Sequence, residues 1–186
     1  WMSERIYKNA RRLLRLLENY LIYAQLELKQ HDLLASAAVK ETHDADNVVQ
    51  ATAEVRAEEF GRLGDLQCEL SSGTVAMPPV YFKKIVEELV DNALKFSKVG
   101  SPVFVVVAKS DEGFVVSVTD RGRGMSVQQI KEIGAFVQFE RNIYEQQGMG
   151  LGLILAKKLA LLHGGELNVQ SEIGTGTTVR VKLPQA

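Results

Sequence analysis

The sequence predicts an α+β fold: one mixed, mainly antiparallel sheet with helices on one face, preceded by a long bundle-type helix. Three observations carry this expectation. Helical and strand-like segments are mixed along the chain rather than strictly alternating, unlike a doubly wound parallel sheet. Two apolar segments, residues 103–108 and 114–119, are joined by a short connection ending in Gly113, as in a hairpin. The first thirty residues carry an apolar seam of heptad type.

Residues 3–30 read as one helix because Ile6, Ala10, Leu13, Leu17, Tyr20 and Ala24 recur in alternating steps of four and three. Leu14, Leu21 and Leu28 widen the seam beyond what a two-stranded coil needs, which suits a bundle. No other segment offers a matching face, so a partner from another chain or an upstream helix is expected. Trp1-Met2 reads as an internal start. Residues 31–46 are polar and irregular, with a short helix expected around 33–41, and form the expected linker. Residues 47–186 are the expected second domain.

Asp46 or Asn47 is the expected cap of an amphipathic helix over 48–63 that ends near Gly61 and Gly64. A strand over 66–70 follows, then a Ser-Ser-Gly turn. Pro78-Pro79 opens the next helix, to Phe96, because proline is compatible with the first helical turn. After the hairpin come a short helix over 126–133, a glycine-bounded loop over 134–149 and a helix over 150–163. Gly164-Gly165 stops that helix, and strands near 166–171 and 177–183 close the chain.

At 186 residues the chain suits one domain with an appended element, and 46% hydrophobic and 24% charged residues are ordinary for a soluble globular protein. A net charge of -1 offers no clustered positive field, so no nucleic-acid partner is expected. The basic excess in residues 1–30 and the acidic excess in 41–70 are read as solvated helix faces. The single cysteine, Cys68, excludes an internal disulfide and suits a reducing compartment. Its alternation with Leu66 and Leu70 predicts a small buried strand residue. The longest apolar run, 103–108, is too short to span a bilayer, and no signal peptide is visible. A cytoplasmic location without membrane contact is therefore expected.

Four segments in the C-terminal half carry the chemistry. On a helix, Glu88, Asn92 and Lys95 lie at i, i+4 and i+7 and share a face. A carboxylate, an amide oxygen and an ammonium there suit a magnesium-bound polyphosphate, although a solvated ladder has the same spacing. Asp120 ends an apolar strand just before Gly122 and Gly124, so its carboxylate can accept from an exocyclic amine while the glycines let a flat base approach. An ordinary acidic turn would look alike. Phe136 and Phe139 can anchor a loop over a ligand or simply pack in the core. Gly148-Met-Gly-Leu-Gly-Leu153 opens a helix, where free N–H groups and the positive dipole end can hold phosphate. Its spacing is neither G-x-G-x-x-G after a strand nor a Walker-type loop.

Taken in series, these segments resemble the catalytic, ATP-binding domain of bacterial sensor histidine kinases, the Bergerat-type ATPase fold, over roughly residues 45–184. Asn92 and Lys95 match that family's N box, Asp120, Gly122 and Gly124 its G1 box, Phe136, Phe139 and Arg141 its F box, and Gly148, Gly150, Leu151 and Gly152 its G2 box. The resemblance implies a two-layer sandwich that binds ATP and Mg2+. It places Asn92 on the metal, Lys95 on the phosphates, Asp120 on the adenine amine and Thr177 near the adenine. Residues 125–149 and the glycine loop would cover the triphosphate. Residues 3–30 resemble, less specifically, the second helix of the family's dimerisation and phosphotransfer hairpin. It thus implies a homodimer through that helix, transfer of the γ-phosphoryl group to a histidine upstream, and relay to a response-regulator receiver domain.

The three histidines bear on this. His163 matches a structural helix-ending His-Gly-Gly, while His31 and His43 lie in the polar linker without a phosphoacceptor pattern, and nothing supports metal binding by them. The Glu88-x-x-x-Asn92 spacing also resembles type II topoisomerase and heat-shock chaperone ATPases, where that glutamate activates water. A conformational ATPase, or a degenerate kinase serving as an ATP-gated scaffold, are the alternatives.

Overall fold

Alternating burial along the strands shows why this chain makes one sheet with a single covered face. In the computed structural model, which describes residues 2–28, 41–110, 113–135 and 151–186, the chain divides into two compact units, residues 1–38 and 39–186. In the first, α1 (Met2–Leu28) is continuous. Ile6, Leu13, Leu14, Leu17, Tyr20 and Leu21 of its apolar stripe are exposed.

The second unit runs α2 (Ala45–Glu59), β1 (Leu66–Leu70), α3 (Pro79–Phe96), β2 (Val103–Ser110), β3 (Gly113–Asp120), α4 (Val127–Ala135), α5 (Leu151–Leu162), β4 (Glu166–Glu172) and β5 (Gly176–Leu183). The five strands lie in the order β1-β2-β3-β5-β4. Only the β1–β2 pair is parallel; the other three are antiparallel. Strand pairing reaches Ser110 and Gly113, so the hairpin connection shrinks to residues 111–112.

On β2 the buried residues are Val103, Val105 and Val107; on β3 they are Phe114, Val116, Val118 and Asp120; on β5, Val179, Val181 and Leu183. The registers Val105↔Val118↔Val179 and Val107↔Val116↔Val181 put them on one face. Phe82, Ile85, Leu89 and Ala93 of α3 and Leu155, Ala156, Leu159 and Ala160 of α5 are buried with them. Each such large aliphatic side chain contributes about 2 kcal/mol by leaving water. The opposite face carries Phe104, Val106, Ser117 and Thr119, all partly open to solvent. A Thr119–Thr178 hydroxyl contact of 2.9 Å crosses it.

Three local expectations need correction. α2 starts at Ala45, so Asp46 falls inside its first turn instead of capping it. The start is fixed from outside the helix: the Ala45 N–H donates to the Gly73 carbonyl at 2.9 Å. The helix ends at Glu59 rather than 63, closed by Gly61 N–H to Glu58 and Arg62 N–H to Ala57 in a Schellman arrangement. Residues 41–46, read above as linker, are partly built into the second unit, where Thr42 bridges Val75 and its hydroxyl donates to the Met77 carbonyl at 2.7 Å. Cys68 is exposed, not buried. It lies on an edge strand, in a groove shared with Glu54 and Glu58 of α2, and those side chains do not seal an apolar layer over it. The helix expected over 33–41 lies outside the described residues apart from Glu41.

Two guanidinium groups, one half-buried and one buried, fix α3. Arg56 of α2 grips Asp91 with paired bonds of 2.6 and 2.7 Å. Arg62 is 4% exposed and donates to the carbonyls of Leu94, Ser97, Lys98 and Ser101, while its Nε meets Asp65 at 2.7 Å. It thus caps the C-terminal carbonyls of α3 and pins the 97–101 turn, where the negative end of the helix dipole favours a cation. Arg62→Ala is expected to lower the unfolding free energy by about 3 kcal/mol in chemical denaturation, because several buried acceptors lose their donor together. Arg62→Lys should recover little, since an ammonium cannot span that fan of acceptors.

Candidate functional site

The C-terminal end of α3 meets the end of β3, and a cavity opens beside that junction. Its walls include Leu89, Asn92, Ala93 and Phe96 of α3, Val118 and Asp120 of β3, Gly124 and Met125 of the following turn, Ile154 of α5 and Thr177 of β5. It is a cleft partly open to solvent rather than a sealed void. The lining is largely apolar, with a few polar groups converging on it.

Asp120 is one of these groups. It is 7% exposed, and its Oδ1 accepts the Gly122 N–H at 2.7 Å. Burial raises its pKa above the ordinary aspartate value, outweighing the lowering by backbone bonds from Gly122 and Thr177. Gly122 has no alternative residue here: a β-carbon would overlap the Phe96 carbonyl oxygen. Gly124 has φ 68° and packs on the Glu172 carbonyl, so it is doubly constrained. Thr177 pairs opposite Asp120 in the β3–β5 ladder, and its hydroxyl lies 2.8 Å from that of Ser171. The Ser171 hydroxyl in turn accepts the Met125 N–H at 2.8 Å, tying the turn to β4.

Asn92 stands one helical turn before Phe96. Its side-chain nitrogen donates to the Glu88 carbonyl at 2.8 Å, and because a carbonyl only accepts, this fixes the amide orientation. The amide oxygen is thereby turned away from the helix backbone. Glu88 is only 4% exposed and does not share Asn92's surroundings. Its carboxylate pairs with Lys84 at 2.9 Å and packs against Gly152 at the start of α5, where a β-carbon would overlap it. Lys95 is exposed, with its ammonium 4.9 Å from the Phe96 ring centroid. The three residues expected to share one face therefore occupy three environments: buried contact, cavity wall and surface.

Leu151 and Gly152 begin α5. Phe136, Phe139, Arg141, Gly148 and Gly150 lie outside the described residues, as does His31. His163 is structural in its contacts: Nδ1 lies 2.8 Å from the Leu159 carbonyl, and the ring rests on Tyr81. His43 is exposed beside Glu41, and the described residues contain no cluster of three or more His, Cys, Asp or Glu suited to a metal.

Sequence reasoning missed Lys84, Arg123, Met125, Gln129 and Ile133. One signal was legible. Ser126 and Gln129 form a capping box at α4, with Gln129 N–H to the Ser126 hydroxyl at 3.2 Å and Ser126 N–H to the Gln129 side-chain oxygen at 2.8 Å. That box aims α4 so that Gln129 and Ile133 reach the cavity.

Fold and cavity together define a class, and comparison agrees with it. The family described as histidine kinase-, DNA gyrase B-, and HSP90-like ATPase matches residues 77–186, and the chain belongs to that family. Histidine protein kinase DivJ of Caulobacter vibrioides is 41% identical over 103 residues, covering 55% of this chain and 17% of that protein. An uncharacterised sensor-like histidine kinase of Rhizobium meliloti is 29% identical over 181 residues, or 96% of this chain and 34% of that one. The chain therefore spans only a minor part of the curated relatives it matches. Among solved structures, the mycobacterial sensor histidine kinase MprB superposes with a TM-score of 0.63 at 26% identity, covering 78% of this chain and 98% of that one. The Acinetobacter baumannii histidine kinase AdeS shares the fold, with a TM-score of 0.71 at 15% identity over 98% of this chain and 83% of that one.

The raised Asp120 pKa has a signed consequence. A carboxyl that is harder to ionise folded than unfolded costs stability once it is charged. Its contribution therefore declines as pH rises from the unfolded value through the raised folded value. Asp120→Asn keeps an oxygen for the Gly122 N–H and removes the buried charge. Its ligand-free melting temperature at pH 7 is expected to equal or exceed that of the parent, while the difference closes in acid.

Proposed function

We propose that residues 47–186 form the ATP-binding catalytic domain of a sensor histidine kinase, which passes the γ-phosphoryl group of ATP to a histidine on a dimerisation hairpin. The observation that carries this reading is the buried Asp120 carboxylate facing a largely apolar cavity that Asn92 also lines. A carboxylate only accepts, so it selects a base bearing an exocyclic amine. A site built around such a bond can reject an analogue lacking the amine by about 10⁴-fold or more.

The donor set fits magnesium. Asn92 offers a hard oxygen because its nitrogen is already spent on the helix, and Mg2+ commonly takes one or two protein ligands beside phosphates and waters. The bound ion would neutralise charge on the phosphates. Lys95, exposed at the next turn of α3, would add a positive charge near them, and the start of α5 at Leu151 and Gly152 would offer backbone N–H groups. Phe139, Arg141, Gly148 and Gly150 are assigned to the same cavity on their family positions alone. Catalysis in such a site is mostly positioning and charge neutralisation.

The state of Glu88 favours this kinase reading over a water-activating ATPase. A general base needs an accessible carboxylate, whereas Glu88 is buried, paired with Lys84 and covered by Gly152. In the intact protein, α1 would supply a dimer contact through its exposed apolar stripe, and a response-regulator receiver domain would take the phosphoryl group. No helix among the described residues is long and apolar enough to cross a membrane.

Calorimetry is expected to show Mg-ATP binding that Asp120→Asn weakens at least about tenfold. Full-length protein incubated with γ-labelled ATP should acquire acid-labile, alkali-stable label on a histidine. Phosphate release without protein labelling would favour the ATPase, and ATP binding with neither would favour the scaffold.

A further inference from the structure

We propose that Arg123 is a phosphate-binding residue of this cavity, acting beside Lys95 around the ring of Phe96. The inference rests on the ATP reading above and extends it to a residue that the motif glycines merely flank. Arg123 lines the cavity and is exposed, with its guanidinium carbon 4.3 Å from the Phe96 centroid. Its backbone is held at both ends: the N–H donates to the Phe96 carbonyl at 3.2 Å, and its carbonyl accepts the Gly174 N–H at 2.8 Å. Among the described residues, its side chain makes no other hydrogen bond or ion pair. Arg56 and Arg62 are consumed by Asp91, Asp65 and backbone carbonyls, but no carboxylate among the described residues pairs with Arg123.

The position along the cavity names the ligand group. Asp120 marks the end that takes an amine, Asn92 the end suited to a metal-bound phosphate, and Phe96 lies on the wall with them. Phe96 is one helical turn beyond Asn92, so a nucleotide that reaches both Asp120 and Asn92 carries its anionic chain along the helix that bears Phe96. Arg123 stands there with its guanidinium laid on the Phe96 ring. Its planar fork matches two phosphate oxygens at once, and lying on Phe96 keeps the fork extended.

Calorimetric titration of the parent, Arg123→Ala and Arg123→Lys with adenosine, ADP and ATP tests this. Arg123→Ala should bind ADP and ATP roughly tenfold more weakly and adenosine unchanged, with Arg123→Lys recovering part of the loss. Unchanged adenosine binding also reports that the variant is folded. An equal loss for adenosine and ADP would overturn the phosphate assignment in favour of base stacking, and undiminished ADP binding would overturn it outright. A parent protein that binds none of the three would instead remove the nucleotide reading, and this inference with it.

Discussion

The Phe96 carbonyl, at the last residue of α3, is the contact on which the rest of the site depends. It accepts the Arg123 N–H at 3.2 Å, and the chain between passes so close that position 122 has no room for a β-carbon. One turn back along α3 is Asn92; two residues back along β3 is Asp120. A helix and a strand far apart in sequence are thereby held so that an amide and a carboxylate face one cavity. Arg62 secures the same helix end from the other side by taking the Leu94 and Ser97 carbonyls. With its terminal acceptors occupied, α3 has little freedom to slide along the sheet.

That junction carries an electrostatic cost. Asp120 is buried beside an apolar wall, and its charged form is disfavoured there. Its two backbone donors offset the desolvation only in part. A protein selected for stability alone would place an apolar residue at the end of β3, continuing the Phe114, Val116, Val118 series. A carboxylate at that point is explained by what it recognises. Glu88 shows the opposite arrangement: a buried carboxylate with a close cationic partner, well placed to hold α3 against the start of α5.

Much of the fold was legible because local chemistry and burial agree. β1 has the bounds its apolar alternation predicts, and α3 begins at the proline pair and ends at Phe96. The covered face of β2 and β3 follows from period-two patterning. What was not legible depends on groups distant in sequence. Cys68 has the spacing of a core residue, yet its exposure is decided by the charged residues of α2 above an edge strand. The start of α2 is set by Gly73, twenty-eight residues downstream of Ala45. Within the site, Asp120, Gly122 and Asn92 could be singled out because few residue types suit their positions. Lys84 and Arg123 could not, because a lysine or arginine in a sequence looks the same whether solvated, paired or held over a ring.

The central claim is that the space between α3 and β3 receives ATP, and backbone amide shifts on addition of Mg-ATP test it most directly. The account predicts perturbations gathered at Asn92, Phe96, Asp120, Gly122, Gly124 and Thr177, with Phe104, Val106 and Ser117 on the open sheet face unmoved. Saturating nucleotide that leaves the first group unshifted, or moves the open face instead, would contradict it.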